Sequence, residues 1–247
     1  MTVWQRPPES LSLGDGEVHV WRFNLELPED AREALRGFLS AEERQRASRF
    51  RFDRHRDRYV TSIGQLRILL GCYLGLAGRD VLFRTATRGK PYVAGDPAPL
   101  QFNLSHSGDL ALVAVARDRE LGVDLEQHRP SVATGPVAER YFSRQEVASL
   151  RALPPEERIE AFFRVWTRKE AFMKATGAGL SYGLSQFTVS VDDPPAILES
   201  RREPQDAGRW TLVHLDPAPG YSGALALPTG SVRLRCWHMP AVWAHHG

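Results

Sequence analysis

Two short segments carry the acidic and basic side chains that are best suited to chemistry. In the first, strand-like alternation places Asp124 and Glu126 on one face. In the second, helical spacing sets Glu170 and Lys174 one turn apart. If the two segments meet, three carboxylates and one ammonium group converge. Such a set can hold a hard divalent cation against a phosphate while one carboxylate accepts a proton.

Simple solvent exposure is the alternative for both pairs. Asp124 and Glu126 would then form the solvated face of an amphipathic strand. Glu170 and Lys174 would form a surface ion pair, worth roughly 0.2–0.5 kcal/mol. Large apolar neighbours such as Phe172 favour partial shielding of the second pair instead, and a bound metal or phosphate would justify that position.

Basic residues earlier in the chain are candidates for phosphate contacts. His106, in a Ser-His-Ser turn, and Lys90, in an Arg-Gly-Lys-Pro turn, can both donate hydrogen bonds to phosphate oxygens, although His106 is alternatively a plain turn residue.

An arginine-rich segment covers residues 44–58. It holds seven arginines and two aspartates, and seven minus two gives a net charge of +5 with histidine neutral. Phe50 and Phe52 interleave with these charges, so a nonenzymatic module that binds nucleic acid is one alternative function. The arginine spacing does not follow one helical face, which argues against a DNA-binding stripe.

Composition bounds the function classes. The chain has 247 residues, 42% of them hydrophobic, which is enough for a well-buried core. With 32 basic and 30 acidic residues the net charge is +2, so no global field indicates nucleic acid or a membrane as partner. Cys72 and Cys236 exclude a multi-thiolate zinc site and indicate no disulfide framework, which favours the cytoplasm. We find no export signal and no apolar run long enough to span a bilayer.

The elements of the first half follow from periodicity. A strand is predicted over residues 17–23, and a helix begins at Ser40, whose capping box Glu43 completes. A core helix is predicted over residues 59–76, closed by glycines.

Three strands are predicted near the acidic segment. The first runs over residues 102–109, and those over 110–116 and 121–126 are predicted to pair as a hairpin. That hairpin would bring His106 near the acidic strand.

A second helical block echoes the first. Ser143 and Glu146 repeat the pattern of Ser40 and Glu43, and the following long helix can be overlaid on the core helix. In that overlay Glu170 and Lys174 fall on two leucines, Leu66 and Leu70. Strands are predicted after the helix, over residues 186–191, 210–215 and 232–237. The order of strand, helices and then strands predicts an α+β fold.

Taken together, the motifs resemble those of the 4'-phosphopantetheinyl transferases, in particular the larger, pseudo-dimeric class of the surfactin type. The resemblance rests on FNLSHS at residues 102–107, GVDLE at 122–126, and WTRKEA at 166–171 followed by Lys174. The RGKP turn and the helix from Ser40 are also similar, so the likeness covers roughly residues 38–190.

The resemblance implies two similar α+β halves, residues 1–119 and 120–247, which form an intramolecular pseudo-dimer with the active site in the cleft between them. It implies a Mg²⁺-dependent transfer of the 4'-phosphopantetheine arm of coenzyme A to a serine of an apo acyl or peptidyl carrier protein. The second product would be adenosine 3',5'-bisphosphate. A monomeric, cytoplasmic enzyme of the kind used in secondary metabolite biosynthesis is therefore expected. Another Mg²⁺-dependent phosphoryl or nucleotidyl transferase, or a hydrolase, is the alternative enzyme.

The resemblance also assigns roles to residues. Asp124, Glu126 and Glu170 would hold Mg²⁺, Glu170 would take the proton from the carrier serine, and Lys174 would neutralise charge on the pyrophosphate. The predicted contacts of coenzyme A's phosphates and adenosine end are basic or hydroxyl side chains: Arg44, Arg46, Arg58, Lys90, Ser105 and His106. The chain departs from the surfactin-type pattern at Glu43, where those relatives have a lysine, so Arg44 or Arg46 would substitute for it.

Overall fold

The structure is a computed structural model, and its described residues are 2–86, 89–95, 100–117, 119–177, 179 and 183–241. One residue of the motifs named above, Arg88 of the RGKP turn, lies outside these ranges. None of the helices in the described ranges combines the length and the apolar character needed to cross a bilayer.

The fold is α+β. The strands in the described residues are β1 (Glu17–Asn24), β2 (Phe83–Thr85), β3 (Pro91–Val93), β4 (Leu100–Ser107), β5 (Leu110–Arg117), β6 (Gly122–Gln127), β7 (Phe187–Val189), β8 (Ile197–Ser200), β9 (Trp210–Leu215), β10 (Tyr221–Pro228) and β11 (Arg233–His238). The helices are α1 (Glu29–Arg36), α2 (Ala41–Ser48), α3 (Asp53–Leu74), α4 (Gly135–Tyr141), α5 (Arg144–Ala152), α6 (Arg158–Thr176) and α7 (Asp206–Arg209).

Two larger sheets share a connection pattern. The first has the order β11-β1-β5-β4, and the second has the order β6-β10-β9. In the first sheet, β1 is followed by helices and pairs antiparallel with β5, which also pairs with β4. In the second sheet, β6 is followed by helices and pairs antiparallel with β10, which also pairs with β9. A small hairpin accompanies each sheet, β2–β3 the first and β7–β8 the second.

The core forms in layers because successive side chains of a strand point to opposite faces of its sheet, and both faces carry apolar residues. Val18 of β1 and Leu112 of β5 meet Val123 of β6 and Leu225 of β10 in a cluster between the two sheets. The outer face of the first sheet packs against α3, and the outer face of the second packs against α6. The site described below lies where these layers meet.

Several local predictions are confirmed. Ser40 and Ser143 both form capping boxes, with Glu43 and Glu146 as the reciprocal partners. The predicted core helix is part of α3, which ends at Gly75 in the left-handed conformation.

The predicted hairpin between residues 110–116 and 121–126 is wrong. β5 already has a strand on each edge, β1 and β4, and β6 belongs to the other sheet, where it pairs with β10. β5 therefore forms its hairpin with β4. Two further strands differ from expectation: β10 was not predicted, and β11 joins the first sheet, parallel to β1.

Candidate active site

The acidic strand β6 lies directly against α6. A Cβ atom on Gly122 would come 2.2 Å from the carbonyl oxygen of Ala171 and 2.3 Å from the nitrogen of Ala175, so only glycine permits this approach. The apolar residues of β6 point into the layer between the sheets, and the alternation turns Asp124 and Glu126 toward α6. Asp124 is buried, so the solvated-strand alternative is wrong for this residue.

Asp124, Lys174 and Ser105 form one hydrogen-bonded cluster. The Lys174 ammonium lies 2.6 Å from Asp124 Oδ1 and 2.8 Å from Ser105 Oγ. Ser105 Oγ in turn donates to the same Asp124 Oδ1 at 2.9 Å. The other oxygen of this carboxylate, Oδ2, is buried and has no hydrogen-bond partner among the described residues. A buried anionic oxygen without a donor is an acceptor left open for a cation.

Glu170 adds a second carboxylate one helical turn before Lys174, and its side chain is half-buried. Burial raises the pKa of Glu170, repulsion from Asp124 and Glu126 raises it further, and the charge of Lys174 opposes both effects. Burial and Asp124 likewise raise the pKa of Glu126, whereas a hydrogen bond from Ser107 lowers it. The three carboxylates therefore interact electrostatically, and added positive charge would relieve their repulsion.

A pocket of about 280 Å³ opens beside this cluster. Residues of the first half, including Lys90 and Asn103, line it together with Glu170 and Lys174 of α6. The Lys90 ammonium donates to the carbonyl oxygen of Leu121 at 2.8 Å, and burial lowers the pKa of Lys90. A larger pocket of about 480 Å³ is lined by the N-terminal segment, β9 and β11, and none of the predicted site residues lines it. We therefore take the smaller pocket as the candidate site.

His106 and Arg58 lie at the edge of this region. His106 follows Ser105 in β4 and so points to the opposite face of the strand, where it is exposed. Surrounding atoms nevertheless desolvate its ring, and this effect, together with the charges of Lys174 and Arg58, lowers the pKa of His106. Arg58 forms ion pairs with Asp109 and, at 3.2 Å, with Glu26. The His106 ring therefore lies within electrostatic reach of both Lys174 and Arg58.

Arg44 and Arg46 make their contacts elsewhere. The Arg44 guanidinium donates to the carbonyl oxygen of Leu39, and the side chain lines a separate pocket of about 380 Å³. The Arg46 guanidinium lies over the ring of Tyr59, 5.3 Å from its centre. Both arginines are exposed, and their predicted phosphate contacts stay a prediction.

Glu43, where the chain departs from the surfactin-type pattern, has a structural role. Besides completing the capping box, its carboxylate accepts two hydrogen bonds from the buried guanidinium of Arg67, at 2.7 and 3.1 Å. Arg67 also donates to the carbonyl oxygens of Gly78 and Val81. A carboxylate at position 43 is therefore needed to neutralise a buried cation.

The charged motif on α6 divides between core and cleft. Arg168 and Lys169 have no exposed surface: Arg168 donates to the carbonyl oxygen of Ser190 at 2.7 Å, and Lys169 pairs with Glu146 at 2.7 Å. Glu170 and Lys174, in contrast, line the pocket. The first two charges hold the second half together, and the last two are available for chemistry.

Two polar residues of β4 that sequence reasoning missed also contact the acidic strand. Asn103 Oδ1 accepts a hydrogen bond from the nitrogen of Val123 at 2.8 Å, and Ser107 Oγ donates to Glu126 Oε2 at 2.6 Å. Their signal was present in the sequence, because Asn103, Ser105 and Ser107 fall on one face at the period of a strand, while Phe102, Leu104 and His106 fall on the other.

The acidic side chains are not gathered as a finished metal site. No three His, Cys, Asp or Glu side chains in the described part of the chain lie close enough together to hold a metal ion. The Lys174 ammonium, instead, neutralises the Asp124 carboxylate.

Comparison with known proteins gives a consistent result for both halves. Residues 28–118 match the model of the family described as "4'-phosphopantetheinyl transferase, N-terminal", and residues 120–226 match the 4'-phosphopantetheinyl transferase superfamily. The chain is 40% identical over 240 residues to the 4'-phosphopantetheinyl transferase HetI of Nostoc sp., which covers 96% of this chain and 98% of HetI. It is 31% identical over 199 residues to the 4'-phosphopantetheinyl transferase Sfp of Bacillus subtilis, covering 81% of this chain and 86% of Sfp.

Proposed function

Because the chain belongs to the 4'-phosphopantetheinyl transferase family, we propose that it transfers the 4'-phosphopantetheine arm of coenzyme A to a serine of an apo acyl or peptidyl carrier protein. In this reaction the serine oxygen forms a bond to the phosphorus that carries the pantetheine arm. The pyrophosphate bond breaks, and adenosine 3',5'-bisphosphate leaves. The observation that carries the proposal is the cluster of Asp124, Lys174 and Ser105 at a pocket that Glu170 also lines.

We assign the proton transfer to Glu170. A carboxylate whose pKa lies above its ordinary value is a stronger base than a solvated one, and burial raises the pKa of Glu170 in this way. Lys174, one turn away, supplies positive charge beside the breaking pyrophosphate bond. In a partly shielded site this charge stabilises the transition state more than it would in water.

The donor set fits a magnesium ion. Mg²⁺ prefers carboxylate oxygens, and Asp124 offers a buried oxygen that lacks a hydrogen-bond donor among the described residues. Glu126 and Glu170 would complete the protein ligands, and the raised pKa of each indicates that bound positive charge would be favourable. When bound, the ion would act as a Lewis acid that neutralises charge on the phosphates.

For coenzyme A we propose contacts from both flanks of the pocket. Lys90 lines the pocket itself, and His106 and Arg58 are included because the charges of Lys174 and Arg58 both act on the His106 ring. Their charges and N–H donors suit phosphate oxygens. Ser105, which already bonds Lys174, and the two arginines of α2, Arg44 and Arg46, complete the predicted set.

We further propose that the chain is an intramolecular pseudo-dimer of residues 1–119 and 120–247. The shared strand order supports this, as does the shared pairing of each capping-box glutamate with a buried cation, Arg67 or Lys169. The helix-ending glycines Gly75 and Gly177, both left-handed, give the same correspondence. The β11 strand is an exception, since it belongs to the second part but pairs in the first sheet.

Counted back from those two glycines, Glu170 corresponds to Ile68 and Lys174 to Cys72. This is two residues beyond the sequence overlay, which used Leu66 and Leu70. Burial supports the new correspondence, because Ile68 and Cys72 are half-buried like Glu170 and Lys174, whereas both leucines are buried. The first half thus has no carboxylate or ammonium group at these positions.

One chain then supplies both sides of the cleft, which favours a monomer. Cys72 and Cys236 are free thiols, a state typical of the reducing cytoplasm, where we propose that the enzyme acts.

The test is to incubate the protein with coenzyme A, Mg²⁺ and an apo carrier protein and to measure the carrier by mass spectrometry. We expect the carrier to gain one phosphopantetheine group. Asp124→Asn and Glu170→Gln should each lower the initial rate by about a thousandfold or more, the order expected when charge stabilisation or a catalytic base is removed. Glu199→Gln, a matched change at an exposed carboxylate of β8, should keep the wild-type rate.

Two results would contradict the proposal. One is an unmodified carrier in the presence of the wild-type protein across acyl and peptidyl carriers. The other is wild-type activity of both Asp124→Asn and Glu170→Gln, which would reject the site while leaving the reaction standing.

A further inference from the structure

The polar face of β4 runs along the open edge of the acidic strand β6. Asn103 Oδ1 accepts the N–H of Val123 at 2.8 Å, and Ser107 Oγ accepts the N–H of Gln127 at 3.1 Å. These two bonds lie on either side of the acidic pair and fix its register. A slip by one residue would turn both carboxylates into the apolar layer between the sheets.

The Ser107 hydroxyl has a second contact. Since Oγ accepts from Gln127, its own hydrogen is available, and Glu126 Oε2 lies 2.6 Å away. A hydroxyl bond to a carboxylate of this length is charge-assisted and stronger than a bond between neutral groups. The Glu126 side chain is only 23% exposed, so water competes weakly for this bond. Ser107 thus orients the Glu126 carboxylate through its oxygen Oε2.

Arg129 competes for the same oxygen. Its guanidinium lies 3.5 Å from Glu126 Oε2, and its side chain is 54% exposed. Both hydrogen bonds that Glu126 receives within the described residues, from Ser107 and from Arg129, go to Oε2. Ser107 reaches Glu126 from β4 of the first sheet, whereas Arg129 follows β6 along the chain and is more exposed to solvent. The two partners therefore approach the same carboxylate oxygen from different segments of the chain.

We propose that Ser107 is a positioning residue that holds the Glu126 carboxylate toward Asp124 and Glu170 and prevents its capture by Arg129, and that it thereby determines the affinity of the site for a divalent cation. This inference rests on the proposed function, in which Glu126 is a metal ligand. Groups that orient a metal ligand commonly affect metal affinity by about 10–100-fold.

The experiment measures Mn²⁺ binding to the full-length protein by electron paramagnetic resonance in the presence of coenzyme A. Ser107→Ala should weaken Mn²⁺ binding about tenfold or more, and Ser107→Thr, which keeps the hydroxyl, should bind like the wild type. The double variant Ser107→Ala with Arg129→Gln should recover a large part of the lost affinity, because the competing cation is gone. A merely structural effect of Ser107 would not be reversed by a change at the exposed Arg129.

The outcomes separate the inference from the function on which it depends. If wild-type protein binds Mn²⁺ but Ser107→Ala binds it equally well, or if Arg129→Gln restores nothing in the alanine background, the positioning role is rejected. If Asp124→Asn binds Mn²⁺ as tightly as the wild type, the proposed metal site itself fails. Equal circular dichroism spectra and melting temperatures of the variants show that the comparison is between folded proteins.

Discussion

The two parts of the molecule complete the edges of corresponding strands in different ways. In the first sheet, β1 pairs with β5 on one edge and with β11 on the other, so both edges are covered by backbone. In the second sheet, β6 pairs with β10 on one edge, no strand among the described residues pairs with its other edge, and side chains bond to that edge instead. They are Asn103 and Ser107, which accept N–H bonds, and Lys90 and Lys174, which donate to carbonyls. Side chains that bond to the edge of a strand bring functional groups beside it. A neighbouring strand on that edge would exclude those groups.

The helix behind each strand shows the same contrast. Near the end of α3, the hydroxyl of Tyr73 lies 2.6 Å from His19 Nδ1 and accepts a hydrogen bond from Trp21 Nε1 at 2.9 Å, in a buried setting. Near the end of α6, Lys174 instead pairs with Asp124 at a pocket. The first half thus has a buried hydrogen-bond network at the strand–helix contact, and the second has a charged pair there, which we propose serves catalysis.

The strongest test of this contrast removes the polar group at each helix end. We expect Lys174→Met to lower kcat/KM by about 10²–10³-fold, because positive charge beside the breaking bond is lost. Tyr73→Phe should keep the rate but reduce the free energy of unfolding by about 1–3 kcal/mol, since buried polar groups lose a partner. Initial rates and urea unfolding measure the two effects. A folded but inactive Tyr73→Phe, or a fully active Lys174→Met, would contradict the division.

The second comparison concerns the ion pairs of the two capping-box glutamates. The side chains of Glu146 and Lys169 are 0% exposed, and burial lowers the pKa of Lys169 while Glu146 opposes this. Glu43 is 17% exposed, and its partner Arg67 keeps two carbonyl acceptors without it. Glutamine preserves a capping box. We therefore expect Glu146→Gln to cost about 3–5 kcal/mol of unfolding free energy in urea titrations, and Glu43→Gln less. Equal losses would show that the two pairs are equally dependent on their carboxylates.

The last prediction concerns the pH dependence of stability and the contrast between Glu170 and its counterpart in the first half, Ile68. Burial raises the pKa of Glu170, so between the ordinary value of 4.5 and the raised value the folded protein binds the proton more tightly than the unfolded chain. The contribution of Glu170 to the free energy of unfolding therefore falls as the pH rises through that interval. Glu170→Gln should raise the melting temperature at neutral pH while abolishing activity.

The gain should shrink as the pH is lowered and should vanish below 4.5, where the carboxyl group is protonated in both the folded and the unfolded state. Glu160→Gln, at an exposed carboxylate of the same helix, is the control and should show no such gain. A melting temperature of Glu170→Gln at or below that of the wild type at neutral pH would mean that the carboxylate is not destabilising.

Local patterns predicted much of the fold. Both capping boxes, the core helix and the alternation of the acidic strand follow from side-chain chemistry within a few residues, and all are present. The β10 strand was missed because Gly223, Ala224 and Ala226 are weak strand formers, and packing in the sheet overrides their preference. The partner of β5 was predicted wrongly because strand pairing is not a local property.

Within the candidate site, the residue types were predictable but their neighbours were not. Ser105 was expected at the phosphates of coenzyme A, and its hydroxyl bonds Asp124 and Lys174. The motif on α6 offered four charged residues, and only packing separates the buried Arg168 and Lys169 from the other two.

Local sequence patterns establish which side chains share a face: the period of a strand joins Asp124 to Glu126, and one helical turn joins Glu170 to Lys174. Tertiary structure alone decided that these faces meet, that Gly122 lets the helix approach, and that the edge of β6 stays open to side chains. The physical reason is distance along the chain. Backbone geometry acts over a few residues, whereas burial, repulsion between carboxylates and the choice of strand partners depend on which distant segments pack together.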